Sequence, residues 1–131
     1  MTVCLDTDVL IDYLRGVPEA RNWLDSMPAE TYFVPGIVAM ELLMGCQNQA
    51  ELTRTKTFLD RLNRVWPDVD DMSRAYDLLA TYRLLTALSI PDCIIAAIVL
   101  NRSARLCTFN LKHYRVIDGL DVQEPYQRPR R

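Results

Sequence analysis

The sequence predicts an α/β domain with a mostly parallel central sheet of about five short strands flanked by helices. Short runs rich in β-formers, such as Val3-Cys4-Leu5 and Thr31-Tyr32-Phe33-Val34, alternate with longer stretches of helical periodicity. That alternation indicates right-handed crossovers between parallel strands. The 131 residues, half of them hydrophobic, suffice for one core and are too few for two ordinary domains, so a single domain over 1–131 is expected.

Taken in order, Val3-Cys4-Leu5 reads as a buried strand. Asp8 stands where a helix from Val9 to Arg15 needs its cap, and Gly16 closes that helix. A second helix follows from Pro18 to about Met27. The strand Thr31–Val34 ends at Pro35-Gly36, and a helix runs from about Ile37 to Gly45. Between Gln49 and Arg64, Leu52, Phe58, Leu59 and Leu62 recur at helical spacing among charged residues, which predicts an amphipathic helix. Val65-Trp66 reads as a brief strand, and Asp70 or Asp71 as the cap of a long helix carrying Ala75, Leu78, Leu79, Tyr82 and Leu85. Pro91-Asp92 opens a nearly all-apolar helix to Leu100. Arg105–Phe109 reads as another strand, and Val116-Ile117 with Leu120–Val122 as a last edge strand.

The longest apolar runs, Cys93–Leu100 and Ile37–Met44, are far shorter than the roughly 20 residues of a membrane span. The first residues lack the basic, apolar and small-residue sequence of a secretory signal, so a cytoplasmic protein is expected. Cys4, Cys46, Cys93 and Cys107 lie far apart and form no C-x-x-C pair, which fits free thiols. His113 is the only histidine, which argues against multi-imidazole zinc sites and against triads that need a histidine base. The net charge of −2 provides no global field that would draw the chain onto nucleic acid, so any RNA contact is local. Thirteen of the 15 basic residues are arginines, and Arg128, Arg130 and Arg131 form a basic tail at about 126–131 that is expected to be flexible.

Four positions are candidates for chemistry. Asp6 directly follows a strand, at the sheet edge where α/β folds bind ligands, although an acid there is also ordinary in a loop. Glu41 sits among Ala39, Met40, Leu42 and Leu43 with no basic residue within a turn. It should be buried or nearly so, and should then carry a raised pKa or meet a cation or a distant arginine. Asp92 is explained by helix capping, and capping is compatible with metal binding. Asn110 follows Thr108-Phe109 at another strand end, commonly a turn position. Acids from separate segments supply the hard oxygen ligands that Mg²⁺ or Mn²⁺ prefers, and such an ion can activate water against a phosphodiester.

Four blocks stand in register: Leu5-Asp6-Thr7-Asp8-Val9-Leu10-Ile11-Asp12, Met40-Glu41-Leu42-Leu43-Met44-Gly45, Asp92-Cys93-Ile94-Ile95-Ala96-Ala97 and Thr108-Phe109-Asn110. Their order and spacing resemble the PIN domain, specifically the VapC-type toxins of type II toxin–antitoxin pairs, along nearly the whole chain. The resemblance implies a three-layer PIN-like fold and a Mg²⁺- or Mn²⁺-dependent endoribonuclease. It implies Asp6, Glu41 and Asp92 as metal-binding and catalytic positions, with Asn110 as a fourth catalytic position where the fullest pattern has an acid. It implies RNA substrates such as tRNA, a homodimer, and a VapB-like antitoxin whose C-terminal segment covers the site, often with an arginine entering the acidic pocket. Thr108 is a candidate to hydrogen-bond a water or carboxylate there, and His113 to meet RNA phosphate or simply to lie at the surface.

Two other readings compete. A catalytically degenerate PIN-like RNA-binding or assembly subunit is favoured only by Asn110. A phospho-acceptor receiver module requires an aspartate ending a central strand and a lysine at a later strand end. Asp60 instead falls within the predicted amphipathic helix, and Lys56 and Lys112 are the only lysines.

Overall fold

The computed structural model describes residues 2–129. Strand β1 (Val3–Leu5) leads into α1 (Thr7–Leu14) and α2 (Pro18–Asp25), then β2 (Tyr32–Pro35), α3 (Gly36–Met44) and α4 (Gln49–Asp60). β3 (Arg64–Val65), α5 (Val69–Tyr82), α6 (Ile90–Asn101), β4 (Arg105–Cys107), α7 (Leu111–Tyr114) and β5 (Val122–Gln123) complete the domain. The sheet order is β3-β2-β1-β4-β5 with every pairing parallel, as the alternation of strands and helices predicts. Among the described residues no helix is long and apolar enough to cross a membrane. All four cysteines are free thiols.

Several boundaries differ from the sequence reading, each for a local reason. Helix α1 begins at Thr7, and Asp6 rather than Asp8 is its cap, accepting from the Thr7 backbone N–H at 2.8 Å. The amphipathic helix stops at Asp60 because the following chain pairs with β2: the Asn63 carbonyl accepts from Val34 N–H at 2.9 Å. Asp68, in extended conformation, caps α5 through a reciprocal capping box with Asp71. Ser89 and Asp92 form the same box at the start of α6, so Asp92 is the third residue of that helix and not its cap. The last strand is confined to Val122–Gln123, while Ile117 is a core residue following α7. Pro35 passes straight into α3, where the Trp66 indole lies so close over Gly36 that a Cβ would overlap the ring.

Helix α6 is the core's central element, with Cys93 through Val99 buried without interruption between the sheet and α5. A near-continuous apolar run in a helix requires cover on all sides. One polar network locks α5 to the end of α6. Asp71, 1 % exposed, accepts from both Arg102 terminal nitrogens at 3.0 and 3.1 Å and from Asn101 Nδ2 at 2.8 Å. Burial pushes its carboxyl up, but these donors and the Asp68 backbone outweigh burial and hold it at about 2.

A carboxyl held below its unfolded value stabilises the fold above about pH 4, and that contribution fades as pH falls toward about 2. Asp71→Asn is expected to cost about 2–4 kcal/mol at neutral pH, because it leaves Arg102 without its charged partner. Urea titrations at several pH values should show the gap to the parent closing between pH 4 and 2.

Candidate active site

The site follows from the register of two strands. β1 and β4 pair with Leu5 opposite Cys107, so the next residues, Asp6 and Thr108, emerge side by side. The Asp6 backbone N–H donates to the Cys107 carbonyl at 3.1 Å and fixes that step. The chain runs outward from β1 to β2 and β3, then returns to place β4 on the other side of β1. The topological switch point, where open parallel sheets bind ligands, thus lies between β1 and β4.

Asp6 is 8 % exposed. Its Oδ1 accepts from Thr7 N–H, and its Oδ2 accepts from Thr108 Oγ1 at 2.8 Å. Burial raises its carboxyl to about 7 and the Asp8 charge adds to this, against the opposing bonds from Thr108 and Thr7 and with a further rise from Asp92. Thr108 is fully buried and has one proton to give, and the shorter contact assigns it to Asp6 rather than to Asp8 Oδ2 at 3.3 Å. Thr108 Oγ1 also accepts from Asn110 N–H at 3.0 Å.

Glu41 lies on α3 with its Oε1 3.3 Å from Thr7 Oγ1. The sequence reading expected it buried, but it is exposed, beside Met40 and Met44 at 52 % and 86 % exposure. An apolar sequence does not by itself bury every face, and Glu41 lines an open groove between α1 and α4. Partial desolvation raises its carboxyl despite the Thr7 bond, and Asp92 adds to the rise. Among the described residues no ion pair involves Glu41, so a distant arginine does not compensate it.

Asp92 is held from two sides: Oδ2 accepts from Ser89 N–H at 3.1 Å and Oδ1 from Tyr114 Oη at 3.0 Å. Tyr114 is wholly buried, and burial with the Asp6 and Asp92 charges pushes its phenol well above 10. The Asn110 side chain reaches His113, with Nδ2 2.7 Å from His113 Nδ1. His113 Nδ1 is in turn 3.8 Å from Asp92 Oδ2.

Thr7, Asp8, Ser89 and Tyr114 escape the sequence reading as parts of this site. Asp8 accepts from the Phe109 backbone N–H at 2.8 Å through Oδ2, while its buried Oδ1 has no partner among the described residues. Burial raises the Asp8 carboxyl, with Phe109 N–H opposing. The signal for Asp8 was its place two residues after Asp6; nothing local marks Tyr114. Among the described residues no three His, Cys, Asp or Glu side chains converge closely enough to share one metal ion directly. The donor set of hard carboxylate oxygens still suits Mg²⁺, which keeps several of its waters and needs only one or two carboxylates.

A carboxyl raised in the folded state costs stability as pH rises: the loss begins above about pH 4 and is complete above about pH 7 for Asp6. In chelator, Asp6→Asn should therefore gain on the parent across that interval, by about 1–3 kcal/mol at pH 8, as read by denaturant unfolding.

A family model for the PIN domain matches residues 3–118. Ribonuclease VapC10 of Mycobacterium tuberculosis is 31% identical over 132 residues, covering 98% of both chains. Ribonuclease VapC19 of the same organism is 31% identical over 127 residues, covering 93% of this chain and 98% of that one. In a toxin–antitoxin complex from Klebsiella pneumoniae, a chain 29% identical superposes with a TM-score of 0.79, covering 96% of this chain and 99% of that one. The FitAcB structure from Neisseria gonorrhoeae, 20% identical, shares the fold with a TM-score of 0.80 over 95% and 98% of the two chains. By the family match, by these relatives and by the five-stranded parallel sheet, the chain belongs to the PIN-domain family, in its VapC group.

Proposed function

We propose that this chain is an endoribonuclease, the toxin of a toxin–antitoxin pair, which uses Mg²⁺ or Mn²⁺ held at the cluster of Asp6, Glu41 and Asp92, by one or two of these acids directly and by the others through the ion's waters. The observation that carries this reading is the buried Asp6 carboxylate at the switch point, sharing the Thr108 hydroxyl with Asp8; burial and the neighbouring acids raise it to about 7. Such a cluster is unfavourable without a cation. The ribonuclease names of the VapC relatives support the same chemistry.

A bound divalent ion would lower the pKa of a water and neutralise charge on the phosphate oxygens. The chain's own groups fix the acids. Thr108 and Thr7 hold both Asp6 oxygens, Ser89 and Tyr114 hold Asp92, and Thr7 steers Glu41. A carboxylate offers about four acceptor sites, so each acid keeps lone pairs for an ion or its waters. Asn110 and His113 form a hydrogen-bonded pair beside Asp92, suited to contact phosphate or ribose of a structured RNA such as tRNA.

A groove of about 530 Å³, lined by Glu41 with Ile11, Leu14, Leu42, Arg15 and Arg54, runs up to the site at Glu41. We assign it to a VapB-like antitoxin segment, whose arginine would meet the acidic cluster. Val69, Met72 and Tyr76 expose an apolar stripe on one face of α5, which we assign to a second copy in a homodimer in the cytoplasm. On that assignment Tyr76→Asp should convert a dimer to a monomer in sedimentation velocity.

Purified chain incubated with total RNA is expected to cleave only with Mg²⁺ or Mn²⁺ and to stop on addition of EDTA. Asp6→Asn, Glu41→Gln and Asp92→Asn should each lose on the order of a hundredfold or more in rate. RNA binding without cleavage under every metal would instead identify a degenerate RNA-binding subunit, the reading to which Asn110 lends support.

A further inference from the structure

The C-terminal segment is built onto the back of this site. The tail from about 126 was expected to be flexible; Arg130 and Arg131 lie outside the described residues, but Tyr126 and Arg128 make specific contacts. Arg128 Nε and Tyr126 Oη both donate to one oxygen of Asp12, Oδ2, at 2.9 and 2.8 Å. Asp12 stands on α1, one turn beyond Asp8, and is 9 % exposed. The Arg128 guanidinium also lies 4.0 Å over the Phe109 ring, and Tyr126 meets the same ring edge-on at 4.9 Å. Trp23 of α2 packs against the other side of this cluster, 6.0 Å from the Tyr126 ring.

Phe109 is the residue between Thr108 and Asn110, and its backbone N–H is bonded to Asp8. The segment 126–128 therefore closes a ring of contacts: α1 through Asp12, then Arg128 and Tyr126, then Phe109, then Asp8 and back to α1. Thr108 lies inside that ring and aims its hydroxyl at Asp6. We infer that Arg128 and Tyr126 are positioning residues: they clamp Phe109 against α1 and so hold the Thr108–Asn110 turn in register with Asp6. The two donors on Asp12 are charge-assisted, and the planar guanidinium combines a hydrogen bond with a stack on an aromatic face, which lysine does not reproduce. Catalytic groups lose effect when displaced by about 1 Å, so a clamp on this turn acts on turnover. That catalytic consequence rests on the nuclease reading; the clamp itself does not.

Hydrogen–deuterium exchange of the full chain without RNA or divalent ions tests the clamp directly. Arg128→Ala should speed exchange of amides 108–110 at least about tenfold, the scale of one charge-assisted bond alone, and leave α5 and α6 unchanged. Arg128→Lys and Tyr126→Phe should give smaller rises. In cleavage assays Arg128→Ala should lower kcat about tenfold with KM within about twofold of the parent, and Arg128→Lys should recover part of the loss. Unchanged exchange at 108–110, or a uniform rise throughout the chain, overturns the proposal. So does a loss confined to KM with a weaker salt dependence, which would mark Arg128 as a phosphate contact. A parent that cleaves no RNA defeats the nuclease reading while the exchange data still judge the clamp.

Discussion

The parallel pairing of β1 with β4 brings together residues 102 positions apart, and the hydrogen bond from Thr108 to Asp6 is its direct consequence. Because side chains alternate along a strand, a slip of one residue in this register would turn Thr108 away and leave the buried Asp6 carboxylate without its hydroxyl donor. The surrounding arrangement depends on this alignment. α1 starts from the Asp6 cap, Thr7 reaches Glu41 from the first residue of that helix, and Asp8 anchors the turn after β4.

Each acid has its own structural attachment, so the cluster does not disperse under its own repulsion. Asp6 is fixed by helix capping and by Thr108, and Asp92 by a capping box and by Tyr114. Glu41 has one weak tether and stays in contact with solvent. Capping and ligand binding are compatible here because helix N-termini supply partial positive charge where acids gather. The cost of burial, with the Asp8 and Asp92 charges adding to it, falls mainly on Asp6, the most deeply buried of the three. The Asp71–Arg102 pair shows the opposite case, in which equally deep burial is more than offset by direct donors.

The apolar core explains how the site stays rigid. α6 is buried from Cys93 through Val99, and its first turn carries Asp92 at the sheet's carboxyl edge. Tyr114, wholly inside the core, connects that turn to α7 and thus to the chain after β4. The acids are mounted on the ends of elements whose other ends are packed, and the loops between them are short.

Much of this was legible along the chain. Hydrophobic periodicity and turn residues gave the alternation of strands and helices, because both are local properties of the backbone and its neighbours. The position of Asp6 after an apolar strand and of Asp92 at a helix start marked them as candidates, and four blocks in register identified the family. Tertiary structure alone decided the rest, because it depends on contacts between distant segments. It exposed Glu41, which lines an open groove between α1 and α4. It paired Asn110 with His113, and made Asp8 and Tyr114 part of the site. It also set part of the basic tail against Phe109, where Asp12 accepts two donors from residues more than a hundred positions away. Sequence specifies which groups are available; only the pairing of strands and the packing of helices sets the distances at which carboxylates, hydroxyls and guanidinium act on one another.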